Sequence, residues 1–554
     1  MFFVQVHHGH YPCPPHLDSV QRLRNSFGRR KYVEKKLENF YLLLCSSSYT
    51  CSEDNDTLCF VDGHIDNLKD LAKQLSLAVG ASPSETIKTI FHKQPLDFFS
   101  NFRGQFVCGI YDKKKNLFFL LNDRFGIKPC FYLQDRQAFV ACSRLSTLAP
   151  ASPDLNLKAI AQYFRLGLTL EGESFLTKIK PLLPGSLLQF SKQSCTVTKS
   201  REKDIEPFQG TLLDAAEELF LIFTTAVQKS LKNYNPQVCY LTGGTDTRLL
   251  LAAMHEIGHP EIEFLTYSSP VWNSSNGDLL IAKELAKKYG LKHRVSTYFQ
   301  KKATPFHSIR DFHFLMHTPS LTGTFGTELL GHLIFSRMPY RKALLNEASE
   351  TEKYTQLVSS TFLAGFEDPK ITLHSEVEEE NGPCKEYSFG IKRVWRSSFS
   401  SLHSDRNTWT FIQPFENFNK DKVVPFLDQD VLDFLITLPL EYLQNYRIYG
   451  ALFKGLLRPW IRIPLHSGIH NYICDLPKPT GLITEPANQT PVSRRELCLQ
   501  NLKHPSLQIG LFNLDYLKKA LLDPESEKGL AVKLCDFIGW YHVHIDDSIP
   551  LEEF

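Results

Sequence analysis

The chain has 554 residues, 42% of them hydrophobic, enough for large cores and for two or more domains. Its 62 Lys and Arg against 60 Asp and Glu give no electrostatic reason to expect nucleic acid or an anionic membrane as partner, so a small substrate is expected. Thirteen cysteines, scattered from Cys13 to Cys535 with no CxxC pair and no Cys/His cluster at zinc spacing, argue against a disulfide framework and structural zinc and fit a reducing cytoplasm.

The opening MFFVQVHHGHYPCPP has neither a charged n-region nor a long apolar core, and no uninterrupted apolar run reaches about 18 residues, so neither export nor a membrane span is expected. His7, His8 and His10 invite a metal reading. Adjacent residues of a strand point to opposite faces and no carboxylate or thiol joins them at a zinc spacing, so no site is expected there. From residue 3 to about 190, short β-type runs dominate: TLCFVDG at 57–63, FRGQFVCGIYD at 102–112, NLFFLLND at 116–123 and FYLQDRQAFVACS at 131–143. Helical patterns at 68–79 and 157–164 intervene, which predicts stacked sheets with helices packed outside. Residues 192–210 are polar and turn-rich and read as a boundary, and 212–231 reads as an amphipathic helix.

The second part alternates strand and helix: QVCYL, a helix, EIEFLTYSS, GDLLIAKELAKKYG, HRVSTY. That order predicts a parallel sheet with crossover helices and a ligand at the carboxyl ends of its strands. Its most informative run is 237–254, QVCYLTGGTDTRLLLAAM, a strand that enters a Gly-Gly turn and leaves as a helix. Gly243 and Gly244 let backbone amides approach an anion from a helix N-terminus, which carries roughly half a positive charge. Thr242 and Thr247 add hydroxyls, while Asp246 would repel phosphate unless a divalent cation lay between them, so Asp246 predicts magnesium. No GxxxxGK[ST] string occurs, which excludes the loop that grips terminal phosphates with a Lys. The bland alternative is an ordinary tight turn whose Asp caps the helix. Residues 346–380, rich in Glu, Ser and Thr, read as surface helices or loops.

Five strings in one order, FRGQFVCGIYDKKKNLFFLLNDRFGIKPCFY (102–132), LLPG (182–185), LTGGTDTR (241–248), LTGTFGTELLG (321–331) and VVPFLDQDVLDFLITLPLEYL (423–443), make the chain resemble glutamine-dependent asparagine synthetases over roughly 60–481. The resemblance implies an α/β protein with an N-terminal Ntn-type αββα sandwich, glutaminase-like, at 1–200, and a C-terminal adenine-nucleotide α-hydrolase domain with a pyrophosphate loop at 206–554. It implies ATP and magnesium as cofactors, with Leu241, Thr242, Gly243, Gly244, Asp246, Thr247, Tyr267 and Gly323 holding the nucleotide, Asp246 the metal, and Lys478 and Glu328 acting in catalysis. For Lys478 a solvent-facing lysine, and for Glu328 a helix-capping carboxylate, is the plainer alternative. Thr266, Tyr267 and Ser268 end the strand where adenine would lie, Asp278 reads as an N-cap, and in PFLD at 425–428 the first three residues read as packing and Asp428 as a cap.

The departures matter as much. Where such glutaminases carry a cysteine nucleophile after Met removal, this chain has Phe2, and Cys13 has no free amine beside it. The Asn-Gly-Glu pattern reads Asp62-Gly63-His64, without the carboxylate that would pair with a substrate ammonium. In the second loop the amidation Glu is Thr324 and the Asp near magnesium is Thr327. The resulting expectation is an AMP-forming amide ligase with an inactive glutaminase-like domain, taking a carboxylic acid and ammonia or an amine. The alternatives are a nucleotide-binding pseudoenzyme in a regulatory or assembly role, and an ammonia-using asparagine synthetase. A homodimer and a cytoplasmic location complete the expectation.

Overall fold

The structure is a computed structural model that describes residues 2–7, 20, 32–44, 49–124, 126–134, 138–143, 145–148, 154–166, 173–192, 194–199, 206–258, 261–268, 273–297, 320–321, 422–443, 446–463, 494–523 and 528–545. Among these it is a mixed α/β protein with two six-stranded antiparallel sheets and one five-stranded parallel sheet.

The first antiparallel sheet uses β1 (Phe2–His7), β2 (Val33–Leu37), β3 (Phe40–Leu44), β8 (Phe131–Gln134), β9 (Ala138–Cys142) and β10 (Lys180–Pro181), in the order β10-β8-β9-β1-β3-β2. The second uses β4 (Tyr49–Glu53), β5 (Thr57–Ile65), β6 (Gly104–Asp112), β7 (Leu117–Asn122), β11 (Ser186–Phe190) and β12 (Cys195–Lys199), in the order β12-β11-β7-β6-β5-β4. Strand alternation sends Phe2, Val4 and Val6 of β1, with Phe40, Phe60 and Phe118, into a core shared by the two sheets. A second core, containing Cys59, Ile87, Ile90 and Phe106, joins the second sheet to helices α1 (Leu68–Gln74) and α2 (Pro83–Lys93). Helix α2 begins where Ser82 and Glu85 form a reciprocal capping box followed by Pro83 at the first helical position. The opposite face, with Phe3, Tyr41 and Val140, packs on α3 (Leu145–Leu148), α4 (Leu157–Leu166) and the chain's late helices, Arg494–Gln500, Leu514–Leu522 and Lys528–His544, through Leu497, Leu517 and Trp540. The layers therefore run helix, sheet, sheet, helix, and the fourth layer is completed by residues some 350 positions downstream of α3.

Two sequence expectations are revised in this region. The run at 131–143 is two strands, β8 and β9, paired antiparallel with Leu133 opposite Val140. The polar stretch at 192–210 contains β12, whose Thr196, Val197 and Thr198 have the β-branched side chains that suit an edge strand, and it pairs with β11.

The parallel sheet is built from β13 (Val238–Tyr240), β14 (Glu263–Ser268), β15 (His293–Thr297), β16 (Ser320–Leu321) and β17 (Lys422–Val423). Its order, β15-β14-β13-β16-β17, runs outward from β13 first to one side and then to the other. Helix α5 (Leu212–Tyr234) leads into β13; Thr211 and Asp214 cap its start reciprocally and Asn235, at φ 43°, ends it in the left-handed region. Helices α6 (Thr245–Glu256), α7 (Asn273–Tyr289), α8 (Gln429–Thr437), α9 (Leu440–Leu443) and α10 (Arg447–Lys454) complete this body, and α5, α6, α7, α8 and α10 bury Leu219, Leu250, Leu285, Leu432 and Leu452 in one core with Phe264. Among the described residues no helix is long and apolar enough to cross a membrane.

Candidate functional site

In the parallel sheet the direction of winding reverses between β13 and β16, the place where sheets of this kind bind ligands at the carboxyl ends of their strands. The segment at that end of β13 is Leu241, Thr242, Gly243 and Gly244, and α6 starts immediately after it. Leu241 stays tied to the sheet, its N–H donating to the Leu265 carbonyl at 2.9 Å and its carbonyl accepting from the Thr266 hydroxyl at 2.7 Å. Because Thr266 gives its proton to Leu241, the 2.8 Å contact between Thr266 Oγ1 and His293 Nε2 requires the proton on that nitrogen. Burial holds the His293 imidazole below the usual histidine range.

Gly244 is the N-cap of α6, with φ −78° and ψ 170°, and as a glycine it brings no capping side chain of its own. Among the described residues, a Cβ added there would meet Thr242 Oγ1, at 3.4 Å, and no other atom beyond its chain neighbours within 4 Å. Thr242 Oγ1 accepts from the Gly244 N–H at 3.2 Å and lies 2.8 Å from Thr247 Oγ1, which fixes both hydroxyls at the loop. Asp246 is in the first turn of α6, and its Oδ1 accepts from the Tyr449 hydroxyl at 2.6 Å and from the Thr245 hydroxyl at 3.3 Å.

Beneath the loop lies Arg248, fully buried, whose guanidinium donates to the carbonyls of Gly243 (3.4 Å), Trp460 (3.1 Å) and Ile463 (2.5 Å). It pins the loop's carbonyl side downward and leaves a permanent positive charge close to the helix start. Neither Arg248 nor Tyr449 was singled out by sequence reasoning. A buried arginine in a helix and a tyrosine about 200 residues downstream carry no local signal of such roles.

Of the sequence-predicted site residues, Leu241, Thr242, Gly243, Gly244, Asp246 and Thr247 come together in this loop and helix start. The backbone of Tyr267 lies near the end of β14, opposite Ser296 of β15. Gly323, Glu328 and Lys478, with Thr324 and Thr327, lie outside the described residues, as does Cys13. The strand preceding Gly323, β16, pairs with β13. Asp278 is not an N-cap: α7 starts at Asn273, a turn earlier, because the polar residues 273–277 extend the helix in place of a loop. Asp428 is the cap expected of it, its side chain accepting from the Asp430 N–H, and Pro425, Phe426 and Leu427 are buried.

The residues that matter by resemblance to a glutaminase sit elsewhere. Phe2 is wholly buried between the antiparallel sheets, 5.5 Å from the ring of Phe60, and its N–H donates to Ser143 Oγ at 3.1 Å. Gly63 has φ +116° and a Cβ there would lie 2.1 Å from the Gln105 carbonyl oxygen, so only glycine fits. His64 follows, its ring 4.7 Å from that of Tyr234 at the end of α5. Close by, the Asn233 amide donates to Asp66 Oδ1 at 2.8 Å, Lys229 bonds Asp430 and stands 3.6 Å from Asp428, and Arg103 bonds Asp430. Asp123 is buried and its two carboxylate oxygens accept from the N–H groups of Ile127 (2.9 Å) and Lys128 (3.1 Å), which shapes the DRFGIKP turn. That turn places Ile127 in the core of the second body, beside an ion pair of Arg124 with Asp433.

A glutamine amidotransferase domain is recognised at residues 49–201. The chain is 27% identical over 224 residues to asparagine synthetase (glutamine-hydrolysing) 3 of Bacillus subtilis, a match covering 38% of this chain and 36% of the relative. It is 22% identical over 409 residues to the asparagine synthetase (glutamine-hydrolysing) of Gallus gallus, covering 69% of this chain and 65% of the relative. In both cases the match spans less than two thirds of the relative's length. A solved structure of glutamine phosphoribosylpyrophosphate amidotransferase from B. subtilis, complexed with ADP and GMP, is similar at 9% identity and a TM-score of 0.27 over 58% of this chain and 74% of that one, and carries no weight here. The comparisons thus show a glutamine amidotransferase domain within residues 49–201 and a similarity to asparagine synthetases over part of their length.

Proposed function

We propose that the chain is an ATP-dependent, AMP-forming amide ligase that works without hydrolysing glutamine, its first 200 residues forming an inactive glutaminase-like domain of the Ntn type and residues 206–554 a pyrophosphate-loop domain. The observation that carries this reading is the glycine loop at the reversal point of a parallel sheet, with Asp246 in the first turn of the helix that follows and, among the described residues, space above Gly244. Such a loop suits a triphosphate tail, because Thr242, Gly243, Gly244 and Thr247 offer amides and hydroxyls while the buried Arg248 adds charge from below. The residues fit magnesium as well: the Asp246 carboxylate matches that ion's habit of taking one or two carboxylates and filling the rest of its shell with phosphate oxygens and water. When bound there, it would neutralise charge on the departing pyrophosphate.

In the proposed reaction a substrate carboxylate oxygen attacks the α-phosphorus of ATP, the bond to pyrophosphate breaks, and an acyl-adenylate forms. Ammonia or an amine then attacks the acyl carbon, loses a proton and expels AMP. The protein's part is to hold the leaving pyrophosphate by the loop amides and hydroxyls and to fix Asp246 at its side. Gly323, Glu328 and Lys478 are proposed for nucleotide contact and catalysis, and Tyr267 for the adenine side, on the strength of the sequence. The loss of glutamine chemistry is supported by Phe2, a hydrocarbon ring sealed between two sheets where the resemblance calls for a thiol, and by His64, which faces Tyr234 where it calls for a carboxylate. Partners are thus a small carboxylic acid and ammonia or an amine.

ATP–pyrophosphate exchange with a panel of carboxylic acids tests the reading. Acid-dependent exchange is expected with at least one of them, while protein that binds ATP and exchanges with none would speak for a non-catalytic nucleotide-binding role.

A further inference from the structure

We infer that Tyr449 is a positioning residue for Asp246, holding that carboxylate in the orientation a divalent cation bound with the nucleotide requires; the inference rests on the ligase reading above. Tyr449 lies on α10, its ring wholly buried and stacked near Phe453 at 5.9 Å. A buried aromatic has few rotamers, so its hydroxyl is delivered to one place with little further loss of freedom. That place is Asp246 Oδ1, at 2.6 Å, within the range of about 2.5–2.7 Å that marks a hydroxyl donating to an ionised carboxylate. The Thr245 hydroxyl points to the same oxygen at 3.3 Å. Two donors on Oδ1 fix the carboxylate plane relative to the start of α6, where Gly244 opens the loop.

Orientation matters because magnesium tolerates little departure from octahedral geometry, and a carboxylate free to rotate would have to be ordered each time the ion bound. The bond also accounts for the place of a core tyrosine's hydroxyl, which is turned toward the half-buried Asp246. A purely structural role, stapling α10 to α6, would affect stability and would leave the metal dependence of binding untouched.

Isothermal titration calorimetry on the full chain separates these cases, with ATP titrated in magnesium and in excess chelator into wild type, Tyr449→Phe and Asp246→Asn. Tyr449→Phe is expected to lower affinity for magnesium-ATP by about tenfold, the worth of one charge-assisted hydrogen bond, and to leave metal-free ATP binding within about twofold. The ratio of the two affinities is the readout, so partial unfolding of the variant, which lowers both alike, does not mimic the effect. If Asp246→Asn loses the magnesium preference and Tyr449→Phe keeps it whole, the positioning role is overturned and the ligase reading stands. A wild-type chain that binds ATP in neither condition overturns both.

Discussion

His64 and Tyr234 meet edge to face, their ring centroids 4.7 Å apart, and so join β5 of the antiparallel sheets to the end of α5, which leads into the parallel sheet. The contact sits in a polar seam with Asp66, Asn233, Lys229, Arg103, Asp428 and Asp430. Where the resemblance calls for a substrate-binding carboxylate, this protein has a contact between its two bodies.

Within that seam Asp66 gives a pH signature. Although Asp66 as a residue is exposed, desolvation of its carboxyl by the groups crowded around it, with Asp428 and Asp430 adding repulsion against the Asn233 hydrogen bond, pushes it up to about 6. An acid whose folded value lies above its unfolded value of about 3.9 binds more protons when folded, so its contribution to stability is whole below about pH 4 and is lost as the pH rises through about 6. Asp66→Asn should therefore flatten part of the stability profile between pH 4 and 6 and gain on wild type above it. The gain should be under about 1 kcal/mol, because the residue retains solvent access and screening reduces the effect. Thermal unfolding of both proteins across this range checks it, and a variant that loses ground as pH rises would contradict it.

Ile127 should matter more to the seam than the ion pairs around it. Arg103 with Asp430 and Arg124 with Asp433 are each about a third exposed, and such pairs contribute about 0–1 kcal/mol. Ile127 is 7% exposed within the core of the second body, so Ile127→Ala should cost about 2–5 kcal/mol. Chemical denaturation of Ile127→Ala beside Arg124→Ala tests the ranking.

Phe2→Ala is expected to destabilise the antiparallel sandwich by about 3–5 kcal/mol, since it empties a wholly buried ring site against Phe60. The measurement is the shift in urea midpoint. A shift worth less than about 1 kcal/mol would mean that position 2 does not serve the core, and would weaken the argument that a hydrocarbon plug has replaced a nucleophile.

Much of this was legible in the sequence because it depends on local pattern. The alternation in β5, β6 and β7, the strand–glycine–helix run ending in α6, and the Asp428 cap are all properties of neighbours a few residues apart. Residues 241–244, 246 and 247 lie side by side at the end of β13 and the start of α6 because that strand-to-helix turn is itself a local pattern. What was not legible is what distant segments do to one another. Residues 497–540 complete the outer layer over β1 and β3, the strand order of the parallel sheet sets the reversal beside β13, Arg248 gathers carbonyls from 460 and 463, and Tyr449 reaches Asp246. The 192–210 stretch misled because an exposed edge strand such as β12 is polar enough to read as linker.

The most direct test of the central claim, that the amides around Gly244 hold a triphosphate, is ATP binding by Gly244→Ala measured by calorimetry in magnesium. The backbone there is extended, and among the described residues an added Cβ meets only Thr242 Oγ1 at 3.4 Å, so the variant should fold with its melting temperature little changed. A methyl group on the approach to the amides should nonetheless lower ATP affinity by about tenfold or more. Wild-type affinity in a folded Gly244→Ala protein would contradict the account.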